Sequence, residues 1–268
     1  MPPPTPEEAS AIEKFALNVT IPVLYETPDA AALLASGTLF EVAERQFVVT
    51  ARHIFDGLPD RTKLAFPENP LKGNAHTFGS FQLAKPTEEH FDVAVMELQN
   101  SDTVSKLKTG WRFLSLANVA LPSATTPDGS FFLSGYPASL TKKAGGWLRG
   151  AFATAYTQRI PEVPAEAEPP VVPELDLFFD YGHDATSVTG KQIRTPELPG
   201  CSGASVWEHR ATSSGIWTPE SVVRVVGVQS AYVHSKYFRA KNWWAVAKIL
   251  EKIDPQIAGV VRSRLREI

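Results

Sequence analysis

The chain has 268 residues, 43% of them hydrophobic and 21% charged, with a net charge of −3. That balance excludes a disordered chain and suits one large all-β domain or two small domains sharing an interface. A single cysteine excludes an intrachain disulfide framework, and there is no long basic run or apolar stretch of membrane-spanning length, so no nucleic-acid or membrane partner is expected.

Residues 1–10, MPPPTPEEAS, are proline-rich and acidic and lack the basic start and apolar run of a secretory signal. Taken as the true start, they imply a protein made and kept in the cytoplasm. Residues 6–17 then place Glu7 and Glu8 ahead of Ile12, Phe15 and Ala16 on one helical face, which predicts an N-terminal helix. From there to about residue 240, short β-like runs bounded by Gly, Pro and Asp dominate. They include VTIPVLYE, SGTLFEV, QFVVTA, KLAF, TFGSFQL, VAVMEL, FFLSGYP, WLRGAFATAY, LDLFFDYG, ASVWE and VVRVVGVQSAYV. About a dozen strands so closely spaced argue for barrels or a sandwich rather than a βαβ sheet.

The segment 159–176, rich in proline and glutamate, reads as an exposed, partly extended loop. A Ser/Thr/Pro loop at 121–130 is a natural connector between two halves. The predicted organisation is therefore a helical segment over 1–17, a barrel over 18–120, a second barrel over 121–240 and helices over 241–268. In the last of these, Trp243, Val246, Ile249, Leu250 and Ile253 form an apolar stripe, and Asp254-Pro255 divides the stretch in two.

Three places are chemically unusual. FVVTARHIFDG runs an apolar strand into His53; EEHFDVAVMEL places Asp92 at the head of another; and LPGCSGASVW is a small-residue turn entering a third. Each alone has an ordinary explanation as a turn or cap. In the last stretch Cys201, Ser202 and Ser205 are all candidate nucleophiles. His76, His90, His183, His209 and His234 have no metal-ligand spacing, so no metal is expected and no cofactor is implied.

Together, in this order, the three motifs resemble those of the trypsin/chymotrypsin superfamily of serine peptidases, nearer its disulfide-free bacterial branches. SGTLFEVAERQFVVTARHIFDG is similar to that family's strand, hairpin and Thr-Ala-x-His motif. FDVAVMEL resembles its Asp-Ile-Ala-Leu-x-x-Leu motif, GCSGASVW its Gly-Asp-Ser-Gly-Gly-Pro motif, and RVVGVQSAY the strand that follows. The resemblance covers roughly residues 18–240. It implies an all-β fold of two orthogonal six-stranded antiparallel barrels, with the site in the cleft between them.

By register the resemblance assigns His53 as general base, Asp92 as its orienter and Ser202 as nucleophile. A serine hydroxyl needs a base within hydrogen-bond reach, imidazole titrates near neutrality, and a carboxylate fixes its tautomer. The amides of Gly200 and Ser202 form the implied oxyanion hole, each donor worth about 3–4 kcal/mol in the transition state. Cys201 stands where the digestive enzymes carry the Asp that pairs with a freed N-terminus. Activation by N-terminal cleavage is therefore not expected, and control by a regulatory protein partner, a loop movement or expression takes its place. Arg52 replaces the small residue that usually precedes the histidine. The implied substrate-binding residues are Glu197 upstream of the turn and Gln229, Ser230, Ala231 and Tyr232 after it, with Tyr232 narrowing the pocket mouth.

The expected activity is that of a serine endopeptidase acting on particular protein or peptide substrates. The alternative is a catalytically silent member of the fold that binds a protein partner. An α/β-hydrolase esterase is disfavoured, because its order is Ser, acid, His and this chain runs His, Asp, Ser.

Overall fold

The computed structural model describes residues 4–28, 31–121, 129–144, 147–187, 190–211 and 216–266. Helix α1 (Pro6–Val19) opens with a capping box, in which Thr5 Oγ1 accepts from the Glu8 amide and Glu8 Oε2 accepts from the Thr5 amide. Seven strands follow: β1 (Thr20–Glu26), β2 (Ala31–Val42), β3 (Arg45–Thr50), β4 (Leu64–Pro67), β5 (Ala75–Thr77), β6 (Phe81–Ala84) and β7 (Ala94–Leu98). They form one antiparallel sheet in the order β5-β4-β1-β2-β3-β7-β6. After helix α2 (Ser101–Gly110) come β8 (Ser130–Gly135), a hairpin of β9 (Lys142–Ala144) and β10 (Trp147–Arg149), then β11 (Ala153–Thr157), β12 (Arg159–Ile160) and β13 (Asp176–Asp180). A second hairpin, β14 (Asp184–Thr186) and β15 (Gln192–Arg194), precedes β16 (Ser205–His209), α3 (Pro219–Val222), β17 (Val223–Val233) and β18 (Tyr237–Asn242). The second large sheet runs β11-β8-β16-β17-β18-β13-β12. Helices α4 (Trp243–Leu250) and α5 (Pro255–Arg266) close the chain, separated at Asp254-Pro255.

The protein is thus mostly β, with two curled antiparallel half-barrels and helices at both ends, the two-barrel arrangement of a chymotrypsin-like fold. Among the described residues each sheet has seven strands rather than six. Short edge strands such as β5 and the two-residue β12 account for the difference, and neither stands out as an apolar run.

Strand alternation builds three cores. Phe47 and Val49 point one way and Val48 the other; likewise Phe40 opposes Leu39, Trp207 opposes Val206, and Val225 opposes Val226. Leu39, Val48, Phe66, Phe78 and Met96 fill the first half-barrel, while Leu133, Phe179, Val206, Val226 and Phe238 fill the second. The other set meets between the sheets, where Phe40, Phe47, Phe132, Trp207 and Val225 pack with Phe15 of α1, Trp243 and Val246 of α4, and Val261 of α5. Phe15 meets Trp207 edge-on at 6.0 Å between ring centroids, and Phe40 meets Trp243 at 5.0 Å. Strands covered on both faces explain why the central runs are continuously apolar. Residues 112–121 stitch the sheets: the Glu41 amide donates to Leu114 O and the Ala120 amide to Val225 O.

Several elements depart from the sequence reading: the runs TFGSFQL and WLRGAFATAY are each divided between two strands, and β9, β12, β14, β15 and α3 did not stand out. Helix α2 was not expected, since it mixes β-branched residues and glycine; the Asn100 side chain caps it by accepting from the Thr103 amide. Strand β18, YFRAKN, is fully paired despite Arg239 and Lys241. Lys241 is 1% exposed because Asp176, its cross-strand partner on β13, neutralises it within the sheet. The proline-rich loop is held to β18 by Arg239 Nη1 donating to Glu168 O and Tyr237 Oη donating to Glu166 O. Of the predicted connector at 121–130, residues 122–128 lie outside the described residues.

Candidate active site

His53 follows the end of β3, where the chain turns from Thr50 and Ala51, both fully buried, into a short helical turn over His53–Phe55. Ile54 and Phe55 bury their side chains in the first half-barrel, which leaves the His53 ring at the surface. Asp92 ends the turn Glu89–Phe91, with its amide donating to Glu89 O, at φ 25° and ψ 39°. That left-handed conformation is uncommon for a side-chain-bearing residue, and aspartate tolerates it better than most. It aims the carboxylate at His53. Asp92 Oδ1 accepts from the His53 main-chain amide at 3.0 Å, and Nδ1 of the ring lies 3.1 and 3.0 Å from the two carboxylate oxygens. The carboxylate therefore fixes both the backbone and the ring. With Nδ1 donating to Asp92, Nε2 is the basic nitrogen of the neutral imidazole.

The Asp92 hydrogen bond holds the His53 pKa above the ordinary histidine value. Burial opposes this, the charges of Asp92 and Asp56 add to it, and Arg52 subtracts from it. Arg52 itself reaches Asp56 Oδ2 at 3.6 Å, and Lys85 donates to the same carboxylate at 2.8 Å. The unexpected arginine before His53 is thus engaged in a local charge cluster.

Residues 198–204 make a tight turn on the other half-barrel. Gly200 (φ 91°) and Gly203 (φ 86°) both adopt the left-handed conformation that favours glycine. A Cβ on Gly203 would lie 2.2 Å from Thr50 Oγ1, 2.4 Å from Ser36 O and 2.6 Å from the Ala51 amide. The turn therefore presses directly on the end of β3, three residues from His53. Ser36 of β2 fastens it there: its amide donates to Ser202 O at 3.0 Å and its hydroxyl to Gly200 O at 2.8 Å. The same hydroxyl accepts from the Tyr136 amide, and Thr50 Oγ1 donates to Ser36 O. Ser36 was missed in the sequence reading. Its signal was a serine following the apolar run AALLA within β2, a position that must find hydrogen bonds because it is completely buried.

The turn also sets the peptide directions. Pro199 O accepts from the Ala138 amide at 2.6 Å, and Cys201 O accepts from the Ala204 amide at 2.8 Å. In a trans peptide the N–H points opposite to its carbonyl, so the amides of Gly200 and Ser202 face away from these anchors. Neither amide donates a hydrogen bond among the described residues. Ser202 is half-buried. No hydrogen bond joins its hydroxyl to His53 among the described residues.

The other two candidate nucleophiles are removed from the cleft. Cys201 is 2% exposed in the second half-barrel core, and burial pushes its thiol up to about 12. Ser205 is buried on β16, with its hydroxyl 2.7 Å from Thr38 Oγ1. Of the residues expected to line a substrate pocket, Glu197 is exposed, and Ala231 and Tyr232 are half-exposed. Gln229 and Ser230 are buried. The Gln229 backbone accepts from Gly203 and donates to Ala204 O, while its side chain donates to Ala231 O. Ser230 Oγ donates to Arg239 O. Tyr232 packs against the core that holds Cys201 and Tyr181, and burial followed by the Glu197 charge raises its pKa. A depression of about 310 Å³ on the first half-barrel is lined by Leu33, Leu34, Ile54 and Leu58.

Among the described residues no group of three or more His, Cys, Asp or Glu side chains is placed to hold a metal ion. No described helix is long and apolar enough to cross a membrane.

No protein-family profile matches the chain, and no curated protein matches it. Among solved structures it is similar to one from work on the intrinsically disordered Sesbania mosaic virus VPg protein, whose coupled folding and binding is driven by aromatic interactions. The match has a TM-score of 0.47 at 12% identity over 85% of this chain and 87% of that one.

Proposed function

We propose that the protein is a trypsin-like serine endopeptidase of the cytoplasm, cleaving peptide bonds in particular protein or peptide substrates. The observation that carries this reading is the Asp92 carboxylate clasping both the amide and the ring of His53, beside a glycine turn that presents Ser202. In this mechanism the Ser202 hydroxyl attacks the scissile carbonyl and its proton passes to His53 Nε2. The resulting oxyanion accepts from the Gly200 and Ser202 amides, which no other described group claims. The imidazolium, stabilised by Asp92, then protonates the leaving amine. An acyl group stays on Ser202 until water, deprotonated by His53, releases it. The outer edge of β17 at Ser230–Tyr232 is the place for an extended substrate to add as a strand.

Buried among apolar side chains, Cys201 supplies no charge to pair with a freed N-terminus, which fits control by a regulatory protein partner or a conformational step rather than by N-terminal cleavage. The free cysteine and the absence of disulfides suit a reducing compartment. The Ser202 hydroxyl closing onto Nε2 is the natural conformational step, since that one hydrogen bond is unmade.

The same unmade bond favours the second reading, a binding module that keeps the fold without turnover. A fluorophosphonate probe separates the two. Covalent labelling that is lost in Ser202→Ala and His53→Ala supports the peptidase. A folded, pure protein that never labels, alone or with substrate peptides, supports the binding module.

A further inference from the structure

The chain carries a net charge of −3, yet residues 129–161 contain four basic side chains and no carboxylate. Three of the four, Lys142, Lys143 and Arg149, lie on the β9–β10 hairpin and are exposed. None of the three forms an ion pair among the described residues. In the hairpin register Lys142 stands directly opposite Arg149, and Trp147 is opposite Ala144. Directly opposed residues share a face, as do residues two apart on one strand. One face of the hairpin therefore carries Lys142, Arg149 and Trp147, the last 68% exposed. Leu148, half-buried, points to the other face. Like charges set opposite one another destabilise a hairpin, and an indole left in water forgoes its burial. An anionic ligand with some apolar surface relieves both.

This face is rooted at the candidate site. Ala138, just before the hairpin, donates to Pro199 O and so sets the Gly200 peptide, while Ser139 Oγ donates to Glu197 O. Thr141 and Gly150 flank the hairpin at its base, and an added Cβ on Gly150 would touch both Thr141 and the Tyr136 ring at 3.7 Å. Tyr136 O in turn lies 2.6 Å from where a Gly200 Cβ would sit. We propose that the Lys142–Trp147–Arg149 face binds an acidic segment of the polypeptide substrate, beside the bond that Ser202 attacks. The inference rests on the peptidase reading for the word substrate, and names an acidic peptide as the ligand. Three cations on one short hairpin are few for tracking a phosphate backbone, whose binding grows with the number of phosphates neutralised.

The test uses the full chain carrying Ser202→Ala, so that binding is read without turnover and independently of fluorophosphonate labelling. A fluorescein-labelled Glu-rich peptide and its Gln counterpart are titrated by anisotropy, and Trp147 emission is followed with unlabelled peptide. The expected result is binding of the Glu peptide at least about tenfold tighter than the Gln peptide, weakening as salt rises, with a change in emission that Trp147→Ala removes. Lys142→Glu/Arg149→Glu abolishes the preference. Should the reversal unfold the hairpin, Lys142→Gln/Arg149→Gln removes the like-charge opposition and still lowers Glu-peptide binding. Equal binding of the two peptides, or binding unchanged by both double variants, overturns the proposal. So does an oligothymidylate that binds as tightly as the Glu peptide, since the face then recognises polyanions in general.

Discussion

Ser36 of the first half-barrel, itself fully buried, donates its hydroxyl to the carbonyl of Gly200 on the second, at 2.8 Å. Through this bond the glycine turn bearing Ser202 hangs from the opposite sheet, and its amide directions depend on a residue far away in sequence. Removing the hydroxyl leaves the Gly200 carbonyl and the Tyr136 amide without their partner. Ser36→Ala is expected to cost about 1–3 kcal/mol in denaturant unfolding. It is also expected to slow fluorophosphonate labelling of Ser202 without abolishing it, because the attacking groups remain. Labelling at the original rate in the destabilised variant rules out this positioning role.

Gly203 has no room for a side chain. A methyl there meets Thr50 Oγ1, Ser36 O and the Ala51 amide, all under 3 Å, at a φ of 86°. Gly203→Ala is expected to destabilise by about 2–5 kcal/mol, combining left-handed strain with overpacking. Gly57 at φ 74° meets nothing within 4 Å and isolates the strain alone. Gly57→Ala should cost only about 1–2 kcal/mol. Comparing the two denaturation midpoints checks the difference.

The pKa of His53 is raised, chiefly by its hydrogen bond to Asp92. The base must be neutral to accept a proton, so the acid limb of the labelling rate should fall above the ordinary histidine value of 6.5. Asp92→Asn should move the His53 titration, followed by NMR, to lower pH and cut the labelling rate. For folding the sign is fixed by the same shift. The favourable His53–Asp92 interaction is fully present below the unfolded-state pKa and is lost as pH rises through the higher folded value.

Lys241 and Asp176 form an ion pair at 1% and 0% side-chain exposure. Asp176 also accepts from the Val172 amide, and the Asp92 charge acts on Lys241 from nearby. Desolvation lowers the Lys241 pKa, and its pairing with Asp176 opposes this. Lys241→Met leaves a buried carboxylate unpaired and should cost about 3–5 kcal/mol. Lys241→Met/Asp176→Leu removes both charges and should recover most of that loss. Equal destabilisation in the single and double variants, read from urea unfolding, contradicts this account.

Cys201 is expected to resist thiol reagents in the folded protein, because its thiol is buried and its pKa is pushed up to about 12. Modification should appear only as the protein unfolds in denaturant. Cys201→Ala should retain fluorophosphonate labelling, whereas Ser202→Ala should not.

Much of this architecture is written locally. Apolar runs such as FVVT and VAVMEL are strands on any reading, because β-branched residues in short stretches bounded by turns have few other options. Helix α1 announces itself through Glu7 and Glu8 ahead of Ile12, Phe15 and Ala16, and the break between α4 and α5 through Pro255. Strand β18 was illegible because Lys241 reads as a solvated residue until Asp176 is brought across from β13. Helix α2 was hidden by weak propensity, which packing of Leu107 into the first half-barrel overrides.

For the candidate site the division is similar. Residue types and their order along the chain determined that a histidine, an aspartate and a serine in a glycine-containing turn each sit beside an apolar strand, and the resemblance of those three motifs to a known family pointed to His53, Asp92 and Ser202. Only the tertiary structure decided that Asp92 grips the His53 backbone as well as its ring, and that Ser36 holds the serine turn. The physical reason is that strand alternation and turn chemistry act over a few residues and leave their mark in the sequence. Hydrogen bonds between the two half-barrels, such as those of Ser36 with Tyr136 and Gly200, join positions a hundred or more residues apart, and exist only once both sheets have curled and met.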